Sequence, residues 1–363
     1  MNKKITVESL TKKMLQEAVN RNTYWSNGLA PLTKSKAQWL LTNPRIEEDD
    51  YCCLIAKEGK KMISFIYMIP DFLNINDDTY KKVYWMILWW VDSNYKKTVL
   101  GTYAFFEALR LVDNKIIIKS YAEHIKDFYE KQPFTVITSR LRYTLFFSID
   151  TPMLIGRFKF LKPFYFVLNT LDYLVASVIS KINYNKLKRR TKNLVYDYIN
   201  ELDEGLWAFI KPLCKNDFIL KSKEYINWQI DSKQFTQLAV QRKQQYTFLG
   251  TGNSPNIYLH NLKIIKDKKI IGFISYVVNH NEFNIKYFIV EKEENYDLCV
   301  DALIENFIKK KSKFIFSDDA KLVENIKKRF LTIFTYKVLK KGLAHDSLNL
   351  EKANLLNRDG HFY

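Results

Sequence analysis

The junction between an apolar strand and a helix holds the residues of this sequence best suited to bind an anion. Residues 83–91, VYWMILWWV, predict a buried strand, and lysines, a glycine and a helix start follow it. The first N–H groups of a helix lack partners, and the helix dipole attracts negative charge to them. We therefore expect a phosphate group to bind here. The residues of the junction are Lys96, Lys97, Thr98, Val99, Leu100, Gly101 and Thr102.

Tyr129 is the second residue that could take part in chemistry. Ser120 and Glu123 have the spacing of a capping box, which predicts a helix over residues 122–131. On such a helix Tyr129 shares a face with Ile125, and this face packs on a sheet. Two interpretations of Tyr129 stay open. Its hydroxyl either reaches water at the edge of the core or donates a proton near the anion-binding junction.

These residues belong to an order of elements, β-β-β-α-β-α-β, that occurs twice in the chain. In the first half the predicted elements span 52–57, 62–70, 83–91, 99–112, 115–119, 122–131 and 134–138. In the second half they span 262–266, 270–278, 281–290, 296–308, 313–316, 320–330 and 334–339. The order predicts an α/β fold in which antiparallel strands lead into βαβ crossovers, with helices on the faces of the sheet.

Composition and charge limit the class of protein. The chain has 363 residues, 47% of them hydrophobic, which is enough to bury a core and excludes a disordered protein. The net charge is +18, but no nucleic-acid-binding motif accompanies it, so we expect no nucleic-acid partner. Neither the four cysteines nor the five histidines have the spacing of a metal site, so we expect no metal. So few cysteines favour the cytoplasm.

Residues 164–192 join an apolar stretch to a basic one. The apolar part, 164–180, has 17 residues that include Asn169 and Asp172, which is too short and too polar for a typical membrane-spanning helix. The basic part, 181–192, has six Lys and Arg and no acidic residue. A helix buried between domains and a peripheral contact with the inner face of a membrane both stay open. A spanning helix is the least favoured of the three interpretations.

Residues 52–138 resemble the GNAT acyltransferase domain. That family has a Gln/Arg-x-x-Gly-x-Gly/Ala loop after its fourth strand, and residues 96–101 stand in its place; residues 128–131, FYEK, match a later Tyr-Glu-Lys run. The resemblance implies acetyl-CoA as co-substrate, bound where the sheet splits after its fourth strand. It also implies that main-chain N–H groups of residues 97–102 hold the pyrophosphate and that Tyr129 protonates the departing thiolate. An N–H near Trp90 and Val91 would polarise the thioester carbonyl.

The chain departs from the family pattern at Val99, which replaces the first glycine of the loop. A β-branched residue resists a left-handed backbone and could crowd the pyrophosphate. The second half also looks GNAT-like, but residues 291–297, EKEENYD, replace its loop with carboxylates that repel phosphate. Residues 221–228, KSKEYINW, are similar to a segment of bacterial GNAT-like proteins, and we expect an amphipathic helix whose aromatic side chains pack inward.

We therefore expect two tandem GNAT-like domains, each a mixed, mostly antiparallel sheet flanked by helices. Residues 1–150 would bind acyl-CoA, 151–193 would form an apolar and basic helical connector, and 194–363 would form a second domain without a CoA loop. The expected function is N-acetyl transfer to a small acceptor amine, such as an amino sugar of envelope polysaccharide synthesis. A non-catalytic binding or scaffold protein built from degenerate GNAT domains is the alternative.

Overall fold

The computed structural model describes residues 4–25, 32–76, 79–235, 257–350 and 352–360. The chain forms two compact units, each assembled from segments that are far apart in sequence. Unit 1 consists of Met1–Ser139, Cys214–Pro255 and Lys340–Tyr363. Unit 2 consists of Arg140–Leu213 and Asn256–Leu339.

Strands and helices follow one another in the repeated order that the sequence predicts. The strands are β1 (Ile5–Thr11), β2 (Tyr51–Glu58), β3 (Lys61–Asn76), β4 (Thr79–Val91), β5 (Ile116–Ile118), β6 (Phe134–Phe146), β7 (Leu194–Ile199), β8 (Ile257–Lys266), β9 (Lys269–Asn279), β10 (Glu282–Val290), β11 (Phe314–Ser317) and β12 (Phe334–His345). The helices are α1 (Lys12–Asn20), α2 (Lys34–Leu41), α3 (Leu100–Leu111), α4 (Lys126–Tyr129), α5 (Thr151–Arg157), α6 (Tyr165–Leu187), α7 (Glu204–Ile210), α8 (Lys223–Gln229), α9 (Glu293–Lys309) and α10 (Ala320–Arg329).

The two units have sheets of the same topology. In unit 1, β1 to β4 are antiparallel neighbours in order, β5 is parallel to β4, and β12 is antiparallel to β5. In unit 2, β7 to β10 are antiparallel neighbours in order, β11 is parallel to β10, and β6 is antiparallel to β11. The predicted α/β fold class, with mixed and mostly antiparallel sheets flanked by helices, is confirmed.

Each repeat gives the second part of its last strand to the sheet of the other unit. Leu343 and Ala344 of β12 pair with β5 of unit 1, and residues 143–146 of β6 pair with β11 of unit 2. The compact units are consequently discontinuous in sequence, unlike the segments 1–150, 151–193 and 194–363 that we expected.

Apolar side chains cover both faces of the sheet in unit 1. On one face Trp85 of β4 packs in a cluster with Trp39 of α2 and Trp228 of α8. On the other face Met86 of β4 packs with Phe105 of α3. Burial on both faces explains why β3 and β4 are nearly continuous apolar runs rather than alternating ones.

Helix α6 and the 3₁₀ turn before it form one apolar segment, Lys159–Leu187. With 29 residues, this segment is long and apolar enough to cross a membrane by length and composition alone, so the 17 residues counted from the sequence underestimated it. Phe166 is 81% exposed, whereas the polar residues Asp172 and Asn183 are fully buried. The interpretation of α6 as a helix buried between domains is therefore wrong, because most of its large apolar side chains lie in solvent.

Candidate functional site

The sheet of unit 1 opens between its two parallel strands. Strand β5 pairs with β4 only where Ile116 and Ile117 lie beside Tyr84 and Trp85. Beyond this point β4 continues to Val91, and no strand among the described residues pairs with it on that side. Main-chain groups in the last part of β4 therefore face a gap, which we call the β4–β5 opening.

A β-bulge lies in β4 at the start of this opening. Met68 of β3 pairs with Met86, but the next residue back along β3, Tyr67, pairs with Leu88, so Ile87 is an extra residue. A bulge reverses the alternation of side chains along its strand and redirects the main-chain groups that follow. The bulge therefore sets which groups of β4 point into the opening.

One hydrogen bond fixes the direction of these groups. The N–H of Asp92 donates to the carbonyl of Ile63 on β3 at 2.8 Å. Because main-chain groups alternate along an antiparallel ladder, the N–H of Trp90 also faces β3, whereas those of Trp89 and Val91 face the opening. Of the two residues that we expected to polarise a carbonyl, Val91 is the one whose N–H has the required direction.

Helix α3 begins close to the end of β4. A Cβ atom placed on Gly101 would lie 3.2 Å from Cγ2 of Val91 and 3.6 Å from Cζ2 of Trp89. The absence of a side chain at Gly101 thus lets the first turn of the helix approach the strand. The start of α3 and the open end of β4 consequently border the same region.

The first turn of α3 provides further main-chain donors. Helical bonding begins at the carbonyl of Val99, and the N–H of Leu100 donates to the hydroxyl of Thr98 at 3.3 Å. The N–H groups of Gly101 and Thr102 have no acceptor inside the helix, as is usual at a helix start. These two groups and the helix dipole favour an anion.

Val99 does not constrain this turn in the way that we expected. Its φ of −72° and ψ of −4° are right-handed, so no left-handed backbone is required of it. Its side chain is 81% exposed. Lys96 and Lys97 are also exposed, and no acidic side chain in the described part of the chain pairs with either. Two cations therefore stand beside the donors of α3.

Tyr129 lies in an aromatic cluster beside the opening. It is 5% exposed, and its ring centroid is 6.4 Å from that of Trp89, 5.9 Å from that of Phe105 and 5.3 Å from that of Tyr121. Within the described ranges, no residue forms a hydrogen bond with its hydroxyl. Burial, and then the nearby Tyr121, raises the pKa of Tyr129, so the hydroxyl keeps its proton at neutral pH.

The local structure that carries Tyr129 differs from the predicted helix over 122–131. A 3₁₀ turn covers Glu123–Ile125, and the α-helix after it spans only Lys126–Tyr129. The N-cap is Ala122, which makes no side-chain hydrogen bond, rather than Ser120. The capping-box prediction was wrong because a spacing of two residue types does not fix the backbone when packing on aromatic rings favours a tighter turn.

Unit 2 repeats the opening with the opposite charge. Strand β11 pairs with β10 only at residues 282–284, and the register of β10 shifts at Lys286 as that of β4 does at Ile87. Helix α9, which follows β10, has Glu293 and Glu294 in its first turn. These carboxylates oppose an anion where lysines favour one in unit 1.

A buried polar cluster in unit 1 was not predicted from the sequence. Asp71 of β3 is fully buried, and one of its carboxylate oxygens accepts hydrogen bonds from the indole of Trp85 at 2.8 Å and from the hydroxyl of Tyr225 at 2.7 Å. Its other oxygen accepts from the guanidinium of Arg45. A single carboxylate inside the apolar run of residues 62–73 was the signal that could have identified this cluster.

Most of the segment 221–228 lies in helix α8, Lys223–Gln229, whose aromatic side chains are buried, and this agrees with the inward-packing interpretation. The rings of Trp228 and Trp39 stack at 4.2 Å, and each indole N–H donates to the other residue's carbonyl. Beside them lies Lys36, whose fully buried ammonium donates to Gln234 at 2.8 Å. Burial lowers the pKa of Lys36 to about 7.

Two other features of the sequence concern ligand binding. The glycine-rich stretch 250–255 lies outside the described residues. Within the ranges that the structure covers, no group of three or more His, Cys, Asp and Glu residues could hold a metal ion.

Comparisons with known proteins find likeness in structure only. No protein-family model matches the chain, and no curated protein does. The chain is similar to a GCN5-related N-acetyltransferase from Kribbella flavida, with a TM-score of 0.47 and 8% identity over 95% of this chain and 73% of that one. A GCN5-related N-acetyltransferase from Anabaena variabilis gives 0.46 and 8% over 94% and 72%. The glucosamine N-acetyltransferase region of a fungal multi-domain GH3 β-N-acetylglucosaminidase gives 0.46 and 10% over 94% and 38%. These likenesses are distant, so the chemistry of this chain has to be inferred from its own residues.

Proposed function

We propose that the chain is an acyl-CoA-dependent N-acyltransferase whose active site is the β4–β5 opening. The supporting observation is that two kinds of main-chain donor meet at one end of β4. The two outward N–H groups of β4, on Trp89 and Val91, can between them bind the amide-bearing arm and the thioester carbonyl of an extended acyl-CoA. The N–H groups of Gly101 and Thr102 can bind a diphosphate. Acetyl-CoA contains both parts.

The proposed reaction assigns one step to each of two residues. As the acceptor amine forms a bond to the thioester carbonyl carbon, the N–H of Val91 stabilises the oxyanion. When the C–S bond breaks, Tyr129 gives its proton to the departing thiolate, and water carries the proton of the amine away. The acceptor class is an amine, and an amino sugar of envelope polysaccharide is the specific candidate that we retain.

Titration calorimetry of the full chain with acetyl-CoA tests this proposal. We expect one molecule bound per chain, although the opening occurs twice, because Glu293 and Glu294 disfavour phosphate in unit 2. The double variant Lys96→Gln and Lys97→Gln should weaken binding about tenfold, since two exposed charges contribute up to about 1 kcal/mol each. Lys292→Gln, beside the second opening, is the control and should bind as the unchanged chain does.

Two outcomes of the calorimetry would contradict these expectations. No heat of binding would overturn the proposal and favour a non-catalytic scaffold built from degenerate GNAT domains. Two molecules bound per chain would contradict the assignment of the site to unit 1.

A further inference from the structure

Helix α6 leaves many large apolar side chains in solvent, unlike an ordinary surface helix. Large apolar side chains along α6 and the turn before it lie in solvent, and we call them the apolar helix face. They are Phe160 (72% exposed), Phe164 (58%), Phe166 (81%), Tyr173 (71%), Leu174 (54%) and Val178 (56%). A soluble protein rarely leaves so continuous an apolar surface uncovered.

The polar side chains of α6 hold the helix on unit 2. Asp172 accepts hydrogen bonds from the N–H groups of Ile149 and Asp150 and pairs with Lys313. Eleven residues later, Asn183 exchanges two hydrogen bonds of 2.9 Å with the main chain of Leu331. These anchors are about 16 Å apart along the helix axis. The helix is therefore fixed lengthwise on unit 2, with its apolar face outward.

Basic residues surround the apolar helix face. Residues 151–192 contain nine Lys and Arg and one acidic residue, the buried Asp172. All nine basic side chains are exposed, and only Arg190 pairs with an acidic side chain of the described residues, that of Asp301 at 3.9 Å. The other eight are Arg157, Lys159, Lys162, Lys181, Lys186, Lys188, Arg189 and Lys192.

We infer that the apolar helix face binds the surface of an anionic lipid bilayer, with α6 lying in the membrane plane. An apolar face with lysines and arginines at its margins is the pattern of helices that insert between headgroups and acyl chains. A second copy of the chain is the other occupant to consider, but it would bring like charges together across a symmetric interface. The anchors at Asp172 and Asn183 oppose a spanning orientation, because unit 2 would have to follow the helix.

Flotation of the full chain with vesicles tests this inference. We expect binding to vesicles of phosphatidylcholine and phosphatidylserine and much weaker binding to phosphatidylcholine alone. The double variant Lys188→Gln and Arg189→Gln should lower the partition coefficient about 25-fold, at about 1 kcal/mol for each basic residue near the surface. Its matched control removes two exposed charges elsewhere on unit 2, by Lys268→Gln and Lys269→Gln, and should change nothing.

A second pair of variants tests the apolar contribution. Tyr173→Asn should weaken vesicle binding, whereas Tyr258→Asn, the same change at an exposed tyrosine of β8, should not. Sedimentation velocity supplies the opposing outcome: concentration-dependent dimers that Tyr173→Asn abolishes, without vesicle binding, would show an interface between copies and overturn the inference. Binding that is equal on both vesicle types would overturn it too. None of these residues contributes to the acetyl-CoA site, so calorimetry with acetyl-CoA distinguishes the two proposals.

Discussion

Replacement of Tyr129 by phenylalanine separates a catalytic role from a structural one. The ring of Tyr129 contacts other rings, Trp89 and Phe105 among them, and phenylalanine keeps all of these contacts. The hydroxyl has no hydrogen-bond partner in the described part of the chain, so its removal breaks no bond within the protein. We therefore expect the free energy of unfolding to change by less than about 0.5 kcal/mol.

Tyr225 provides a matched comparison in the same unit. Its hydroxyl donates to the buried carboxylate of Asp71 at 2.7 Å. Hydrogen bonds to charged groups contribute about 1.5–3 kcal/mol, so Tyr225→Phe should destabilise the protein by about that amount. Urea unfolding of Tyr129→Phe and Tyr225→Phe measures the difference in their free energies of unfolding, which we predict from the hydrogen bonds of the two hydroxyl groups.

Although Tyr129→Phe should leave stability almost unchanged, it should lower activity strongly. A general acid contributes a factor of about 100 to 10,000, so Tyr129→Phe should slow the release of free CoA from acetyl-CoA at least about 100-fold. A thiol-reactive dye measures this release in the presence of an amine, and calorimetry should give an affinity for acetyl-CoA within about twofold of the unchanged chain. An unaltered rate would remove Tyr129 from the mechanism. If Tyr129→Phe destabilised the protein as much as Tyr225→Phe does, the hydroxyl of Tyr129 would have a hydrogen-bond partner, and our description of it would be wrong.

Three further predictions concern buried groups of unit 1, and urea unfolding measures each. Asp71→Asn leaves the charge of Arg45 buried without its counter-charge and should cost about 3–5 kcal/mol; a neutral result would show that water reaches Arg45. Burial lowers the pKa of Lys36 to about 7, so the unfolded chain binds more protons than the folded one between about pH 7 and pH 10. The stability of the unchanged chain relative to Lys36→Met should therefore rise with pH across that window, and taking this difference removes the opposite contribution of the buried cysteines, whose pKa values burial raises. Gly360 has a φ of +69° and a Cβ there would lie 2.7 Å from Trp85, so Gly360→Ala should destabilise the protein by at least about 1–3 kcal/mol; an unchanged midpoint would contradict this.

The sequence predicted the repeated order of elements because local patterns determine it. The turns at Gly59 and Asp267 adopt positive φ angles, as hairpin turns between apolar strands do, and both hairpins occur where the pattern indicated them. The junction from β4 to α3 was predicted for the same reason, since apolar strand, polar loop and helix are all short-range features.

The exchange of last strands could not be predicted in this way. Alternation of apolar residues shows that 134–146 and 334–345 are strands, but it carries no information about which neighbour each strand pairs with. The bulge at Ile87 was missed for a similar reason, because one extra residue in a fully apolar run leaves no polar marker on either face.

The orientation of α6 was also beyond the sequence. The sequence shows that Asn169 and Asp172 interrupt the apolar stretch, but it does not show whether either of them faces water or protein. The ion pair between Asp172 and Lys313 turns Asp172 toward the protein, and Lys313 lies too far along the chain for a local pattern to show this pair. The left-handed backbone expected at Val99 was wrong because the turn reaches the helix through right-handed backbone, which valine adopts readily, whereas crowding of a pyrophosphate by its side chain stays a prediction.

The exchange of β6 and β12 makes the two halves of the chain depend on each other to fold. A fragment that stopped near residue 150 would leave one edge of β5 bare and its own β6 without β11 as a neighbour. Bare edges recruit strands from other molecules, so such a fragment should assemble with its own kind rather than remain monomeric. Loosening of β12 would likewise weaken the sheet that holds the β4–β5 opening, although β12 is encoded in the opposite half of the gene.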